Sequence, residues 1–258
     1  MVQVHRRVAS TMPLAHALVT EAGDPSQVAG ALILAEEQTA GRGRLDRRWQ
    51  APPGTAILAS LVVAGPLLPS EPAQLPMIAG LAVLRALEAT LPELAGQVAL
   101  KWPNDVLLGP EPGTARKVAG LLVESAFQEG RMAYAVLGMG INVHQEASQL
   151  PAPRPGGLPP TSLSAFTGRA VDRSELLLAL CQALSHLLEP PDRPEPAAIH
   201  EEWQARLIHL GRRIRWQPSP GEAPVTGRVV ATTLDGGLVL EIEGGQRQVV
   251  QAGDVSLL

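Results

Sequence analysis

Four arginines within seven residues, Arg42, Arg44, Arg47 and Arg48, stand beside Gly41, Gly43 and Trp49 in the run 36–49. Guanidinium forks grip carboxylate or phosphate through paired hydrogen bonds, and a glycine lets backbone approach a ligand without a Cβ in the way. Trp49 adds a flat apolar face. These residue types suit an anionic ligand that also carries a ring. Standing alone, a Gly-Arg-Gly-Arg stretch is more simply an exposed basic turn or a nucleic-acid contact.

Three stretches downstream change that weighing: Lys101-Trp102-Pro103-Asn104-Asp105, then residues 116–124 beginning Arg116-Lys117, then Gly138-Met139-Gly140-Ile141-Asn142-Val143. Pro103 lacks a backbone donor and restricts Trp102, so a strand should end there in a tight turn. Asn104 and Asp105 are common turn residues, or they orient phosphates, ribose or magnesium. Lys117 opens an apolar run, where lysine is usually a solvated edge residue. Gly138 and Gly140 break a strand-like run, which marks close approach by a ligand or by packed backbone.

The elements that must position these residues are legible from apolar spacing. Residues 28–36 and 55–63 read as buried strands, so the basic loop joins two core strands, a usual place for ligand chemistry. A short β-prone run at 2–8 precedes a helix capped at Thr11 or Met12 and stopped by Gly23. Residues 70–91 have helical spacing. Residues 98–102, 106–108, 116–126 and 132–143 read as strands, with a Pro/Gly connection at 109–114 and a Pro-rich surface loop within 145–160. A helical turn at 162–167 is followed by a helix capped by Asp172 and running to about 188, then by a last helix at 197–210. From Arg212 the period shortens to strand-like runs at 212–217, 225–234, 238–243 and 247–251, a small antiparallel barrel or sheet. It is too small for an independent core and should dock on the larger part.

In this order and spacing, the four motifs resemble the signature of biotin protein ligases, over about residues 8–258. The resemblance implies an α+β fold: a mixed central sheet flanked by helices, of the class II aminoacyl-tRNA synthetase and biotin ligase type. It also implies a small C-terminal SH3-like β-barrel, dividing the chain at 1–210 and 211–258. It implies ATP with Mg2+, and biotin as substrate, activated to biotinyl-AMP and transferred to a lysine of a biotin carboxyl carrier protein, the acetyl-CoA carboxylase subunit. The residues it assigns to biotin are Ser10, Thr11, Gln38, Gly41, Arg42, Lys117, Gly120 and Gly138. Those it assigns to ATP are Arg44, Arg47, Trp49, Asn104, Lys117 and Asn142, and those to catalysis are Lys117, Arg44, Arg47 and Asp105; it assigns no protein metal ligands. Met12 stands where the family usually has Asn, and Arg48 has the weaker claim.

Composition narrows the alternatives. Hydrophobic residues make up 45% of the 258, charged residues 18%, and the net charge is −4, which suits a globular core and disfavours a protein that coats nucleic acid. Cys181 is the only cysteine and lies in an apolar run, so it reads as packing in a reducing, cytoplasmic chain. No apolar run is long enough to span a membrane. A lipoate or octanoate ligase is the nearest rival, but its loop is usually of an Arg-Arg-x-x-Gly-Gly-Gly kind. A biotin-sensing repressor would carry an N-terminal DNA-binding segment for which the sequence ahead of residue 8 leaves no room, so no DNA partner is expected. An RNA-binding protein would want more aromatics than one Tyr and two Phe. Dimerisation through a sheet edge remains open.

Overall fold

The computed structural model describes residues 1–109, 111, 113–153, 157–219 and 221–258. Parts of the expected connection at 109–114 and of the Pro-rich run near 151–160 lie outside them. A seven-stranded mixed sheet organises the chain. Its strands are β1 (Val2–His5), β2 (Leu32–Ala35), β5 (Ala56–Ala64), β6 (Val98–Lys101), β7 (Asp105–Leu108), β8 (Arg116–Gln128) and β9 (Arg131–Asn142), in the order β1-β2-β5-β9-β8-β7-β6. Only the β1–β2 pair is parallel. Two short strands, β3 (Gly41–Arg42) and β4 (Arg48–Trp49), form a hairpin inside the basic loop that the apolar pattern does not signal.

Helices cover both faces. On one side lies α1 (Thr11–Ala22), on the other α2 (Leu75–Thr90) with α4 (Arg173–Leu188) and α5 (Pro196–Ala205); α3 (Leu163–Thr167) is a single short helix. Every residue of β5 is buried, so the strand reads as a continuous apolar run because helices close both its faces. The α2 face of the sheet packs Ala59, Leu61, Ala119, Leu121, Leu137 and Ile141 against Leu75, Ile78, Leu81 and Leu84. The α1 face is shallower and packs Met12, Ala15 and Val19 on Ile33, Val62 and Val136.

Several boundaries differ from the sequence reading. Ser10, not Thr11 or Met12, caps α1, its side chain accepting from the Met12 N–H, and Gly23 ends the helix with φ 73° as expected. The helix expected at 70–91 starts at Leu75, because Pro72–Gln74 forms a separate 3-10 turn. β9 is unbroken: Gly138 and Gly140 stay in register with Ser60 and Leu58 of β5 and with Leu122 and Gly120 of β8. The last helix stops at Ala205, because residues 206–208 instead run beside β6, with Leu100 N–H donating to Arg206 O at 2.8 Å and Ile208 N–H donating to Leu100 O at 3.0 Å.

Beyond that segment β10 (Arg213–Gln217), β11 (Val225–Thr232), β12 (Leu238–Glu241), β13 (Arg247–Val250) and β14 (Asp254–Leu257) form a five-stranded antiparallel sheet, ordered β13-β12-β11-β10-β14. β14 was not expected; it is four residues long and carries no clear alternation. The sheet is fastened to the larger part by Trp102 Nε1 donating to Gly236 O at 2.9 Å and by Gln74 Nε2 donating to Leu234 O at 3.0 Å.

His209 sits at this junction, fully buried, with neither ring nitrogen hydrogen-bonded among the described residues. Burial first, then the nearby Lys101 and Arg212 charges, hold its pKa down at about 3, against an ordinary 6.5. The unfolded chain therefore takes up a proton below pH 6.5 that the folded chain refuses, and stability falls as pH falls from 6.5 towards 3. His209→Gln should remove about 2 kcal/mol from the stability difference between pH 7 and pH 5, read by urea unfolding of both proteins.

Candidate functional site

Cross-strand register places the chemistry. Residues opposite one another in an antiparallel sheet point to the same face, and alternate residues along a strand share it. Lys101 pairs with Asp105, Asp105 with Gly120, and Gly120 with Gly140, giving one row across β6, β7, β8 and β9. The next row on that face is Leu122, Gly138 and Ser60 across β8, β9 and β5. The glycines make a shallow trough. Trp49 lies along it: a Cβ on Gly140 would stand 2.5 Å from Trp49 Cε2, and one on Gly120 would stand 2.8 Å from Cζ3. A Cβ on Gly138 would stand 2.6 Å from Met12 Sδ. The close approach expected at these glycines is thus made by side chains of the chain itself.

Two adjoining cavities share Arg47, Arg48, Trp49, Asn104, Asp105 and Lys117. The first runs under the loop to the N-terminus of α1, where Ser10, Thr11, Met12 and Gln38 line its end. Polar groups there are held in place: Gln38 Oε1 accepts from Thr11 N–H at 2.7 Å and from Thr11 Oγ1 at 3.2 Å, and the Thr11 hydroxyl meets Ser60 Oγ at 2.7 Å. Because Gln38 spends its oxygen on Thr11, its amide nitrogen is the group left to face a ligand. The second cavity is bounded by Lys101, Asn142, Pro151, Leu158 and, from the C-terminal sheet, Asp254 and Ser256.

Electrostatics divide the site into cation–carboxylate pairs. Lys117 Nζ lies 2.5 Å from Asp105 Oδ1 and 5.9 Å from the Trp49 ring centroid. Arg42 pairs with Glu124 at 3.0 Å. Arg44 donates from both terminal nitrogens to Gly253 O at 3.3 Å, and Arg47 grips Asp254 with two nitrogens. Burial pushes the Arg44 pKa down, opposed by Asp105. It does the same to Lys101, again opposed by Asp105 and reinforced by Lys117, Arg47 and Arg44. Such cations gain from an anionic ligand more than exposed ones would.

Of the sequence candidates, Ser10, Thr11, Gln38, Arg42, Arg44, Arg47, Trp49, Asn104, Asp105, Lys117, Gly120 and Gly138 line the first cavity. Asn142 lines the second; it is buried, its Nδ2 donates to Thr161 O and its Oδ1 accepts from Gln145. Asn104 likewise spends its Nδ2 on Leu121 O. Gly41 lines neither cavity and instead faces the Trp49 carbonyl across the β3–β4 hairpin, where a Cβ has no space. Arg48, the weaker candidate, lines both. Sequence reasoning missed Lys101, Gly140, Ser60, Gly253 and Asp254 as site residues. The first two lie inside motifs already singled out, whereas Ser60 and Asp254 carry no local signal. Among the described residues no group of three His, Cys, Asp or Glu side chains is arranged to hold a metal ion.

Residues 5–142 match the Biotin/lipoate A/B protein ligase family, and residues 209–258 match the Biotin protein ligase C terminal domain. The biotin–(acetyl-CoA-carboxylase) ligase of Paracoccus denitrificans is 36% identical, the alignment covering 90% of this chain and 92% of the relative. The enzyme of that name from Mycobacterium tuberculosis is 33% identical, over 92% of this chain and 83% of the relative. The structure of biotin protein ligase from Aquifex aeolicus in complex with biotin and ATP superposes with a TM-score of 0.74 at 27% identity, covering all of this chain and 98% of that one.

Gly140→Ala should force Trp49 out of the trough while leaving strand pairing intact. The variant is expected to keep its far-ultraviolet circular dichroism and to lose quenching of Trp49 fluorescence by ligand, measured in a background where Trp102, Trp203 and Trp216 are retained as constant emitters. Unaltered ligand quenching would show that the trough tolerates a methyl group.

Proposed function

The chain belongs to the Biotin/lipoate A/B protein ligase family, and from the cations converging on one cavity we infer that it activates biotin with ATP. Pyrophosphate leaves, biotinyl-5′-AMP stays bound, and biotin then passes to a lysine of a biotin carboxyl carrier protein. The carrying observation is geometric: Arg42, Arg44, Arg47 and Lys117 line a cavity whose far end is built of the hydroxyls of Ser10 and Thr11 and the amide of Gln38. A ring with hydrogen-bonding edges fits that end. A carboxylate tail then points towards Lys117, and the adjoining second cavity receives the nucleotide.

The first step joins a biotin carboxylate oxygen to the α-phosphorus and breaks the bond to the pyrophosphate oxygen. Anion meets anion, so the arginines and Lys117 neutralise charge as it develops, in a site partly closed to water. Lys117 is the residue poised between carboxylate and α-phosphate, Arg44 and Arg47 lie along the phosphates, and Trp49, Asn104 and Asn142 lie towards the nucleotide. Magnesium would supply further neutralisation of the triphosphate, and Asp105 is the carboxylate lining the site that would help to hold it together with phosphate oxygens. In the second step the acceptor amine attacks the anhydride carbonyl, the bond to the AMP oxygen breaks, and the amine loses a proton. Asp105, 2.5 Å from Lys117, would take that proton or release Lys117 for the departing phosphate.

The division at residue 210 separates the catalytic part from a C-terminal module that we read as SH3-like, closing the nucleotide end through Gly253 and Asp254; the larger part is read as class II synthetase-like. β7 pairs β8 only as far as Gly120, and Asn104 bonds both backbone groups of Leu121, so the free edge of β8 among the described residues lies beyond Leu121; that edge supports a homodimer. No helix among the described residues is long and apolar enough to cross a membrane. A cytoplasmic ligase with no DNA partner is the reading that the single cysteine and the net charge support.

Two measurements test this. The purified chain should exchange labelled pyrophosphate into ATP when given biotin and magnesium but not lipoate; exchange with neither acid would overturn the adenylation reading. Asp105→Asn should slow single-turnover transfer from preformed adenylate by about 10²-fold or more, the scale of a general base, and an unchanged rate would leave Asp105 to magnesium alone.

A further inference from the structure

The sheet face that carries the glycine trough continues beyond it. Along β8 the alternate residues are Gly120, Leu122 and Glu124, and along β9 they are Gly140, Gly138, Val136 and Tyr134. Helix α1 crosses this face with Met12 over Gly138 and, one turn later, His16 over Glu124 and Tyr134. His16 Nδ1 lies 2.9 Å from Tyr134 Oη and its Nε2 lies 2.9 Å from Glu124 Oε2. A neutral imidazole satisfies both contacts if Nε2–H donates to Glu124 and Tyr134 O–H donates to Nδ1. Glu124 turns its other oxygen to Arg42, with Oε1 3.0 Å from Nη2, while Oε2 also accepts from Nη1 at 3.4 Å.

We propose that Glu124, fixed by His16 and Tyr134, is a positioning residue that clamps the first arm of the basic loop across the α1 end of the cavity through its two-oxygen grip on Arg42. An isolated surface ion pair contributes little, because two long side chains must be ordered at once and water screens the charges. Here the carboxylate is already ordered by His16, which Tyr134 in turn holds, so only Arg42 remains to be fixed. Arg42 lines the first cavity and Glu124 does not, so the carboxylate holds the guanidinium from behind and leaves the cavity side of the arm facing the ligand. The clamp ties β3 to α1, β8 and β9 at the end where Ser10, Thr11 and Gln38 lie. The loop's second arm is tied separately, by Arg44 and Arg47 to Gly253 and Asp254. On the ligase reading above, on which this consequence rests, the clamp retains the acyl-adenylate between the two half-reactions.

Limited trypsin digestion of the ligand-free chain tests the clamp without calling on activity. Cleavage after Arg42, followed by mass spectrometry, should be about three- to five-fold faster in Glu124→Gln, as expected for loss of a modest ion pair, and raised to a smaller extent in Tyr134→Phe. Cleavage at sites outside the loop serves as the internal reference. Equal Arg42 cleavage in wild type and both variants, or a rise at all sites together, overturns the clamp; if Glu124→Gln does not fold, Tyr134→Phe alone decides by the same comparison. The functional arm measures escape of preformed biotinyl-adenylate into solution. Glu124→Gln should release it faster, with KM for biotin rising more than kcat for pyrophosphate exchange falls. Unchanged escape together with faster loop cleavage would overturn retention as the clamp's purpose. Absence of adenylate in the wild type would instead refute the ligase reading, with the digestion result standing by itself.

Discussion

Positive charge gathered around one pair of cavities is the constraint on which the site depends. Lys101, Lys117, Arg42, Arg44 and Arg47 surround one pair of cavities, and several are half-buried, where like charges repel more strongly than in water. The fold answers with carboxylates drawn from different elements: Asp105 for Lys117, Glu124 for Arg42, Asp254 for Arg47. Each carboxylate offsets one cation of the cluster. The loop is therefore held at both arms, by Glu124 on β8 and by Gly253 and Asp254 beside the C-terminal sheet.

This arrangement needs a floor that does not obstruct. Gly120, Gly138 and Gly140 form that floor because strand pairing continues through them on both sides. Neighbouring strands supply the hydrogen bonds while the missing side chains leave a channel for Trp49 and Met12. Trp49 Nε1 is buried with no hydrogen-bond partner among the described residues, so the indole rests in the trough by contact alone and has a donor to offer. The polar end of the cavity is held differently. Ser60, fully buried in an otherwise apolar strand, meets Thr11, which holds Gln38, so a chain of hydrogen bonds links the core to the cavity surface.

The C-terminal sheet belongs to the same site although it is remote in sequence. Its docking through Trp102, Gln74 and the strand-like segment after α5 brings β14 against the loop, so the second arm of the loop rests on Gly253 and Asp254. One short strand thus links the stability of the small sheet to the position of Arg44 and Arg47.

The sequence alone determined what depends on local pattern. Alternation and apolar runs located β2, β5 and β8, Asp172 announced the start of α4, and Gly23 the end of α1. The motifs assembled almost all of the cation set and the glycine floor, because those residues lie close together in the chain and their types are informative by themselves. Tertiary structure decided the rest. Arg42 meets Glu124 across 82 residues, His16 meets Glu124 across 108, and Arg47 meets Asp254 across 207. No local preference encodes such pairs, since a carboxylate on a strand looks the same whether it faces water or a guanidinium. The continuity of β9 through Gly138 and Gly140 was equally invisible, because the bonds that keep a glycine-containing strand straight come from its neighbours, and which strands are neighbours is settled only when the chain folds.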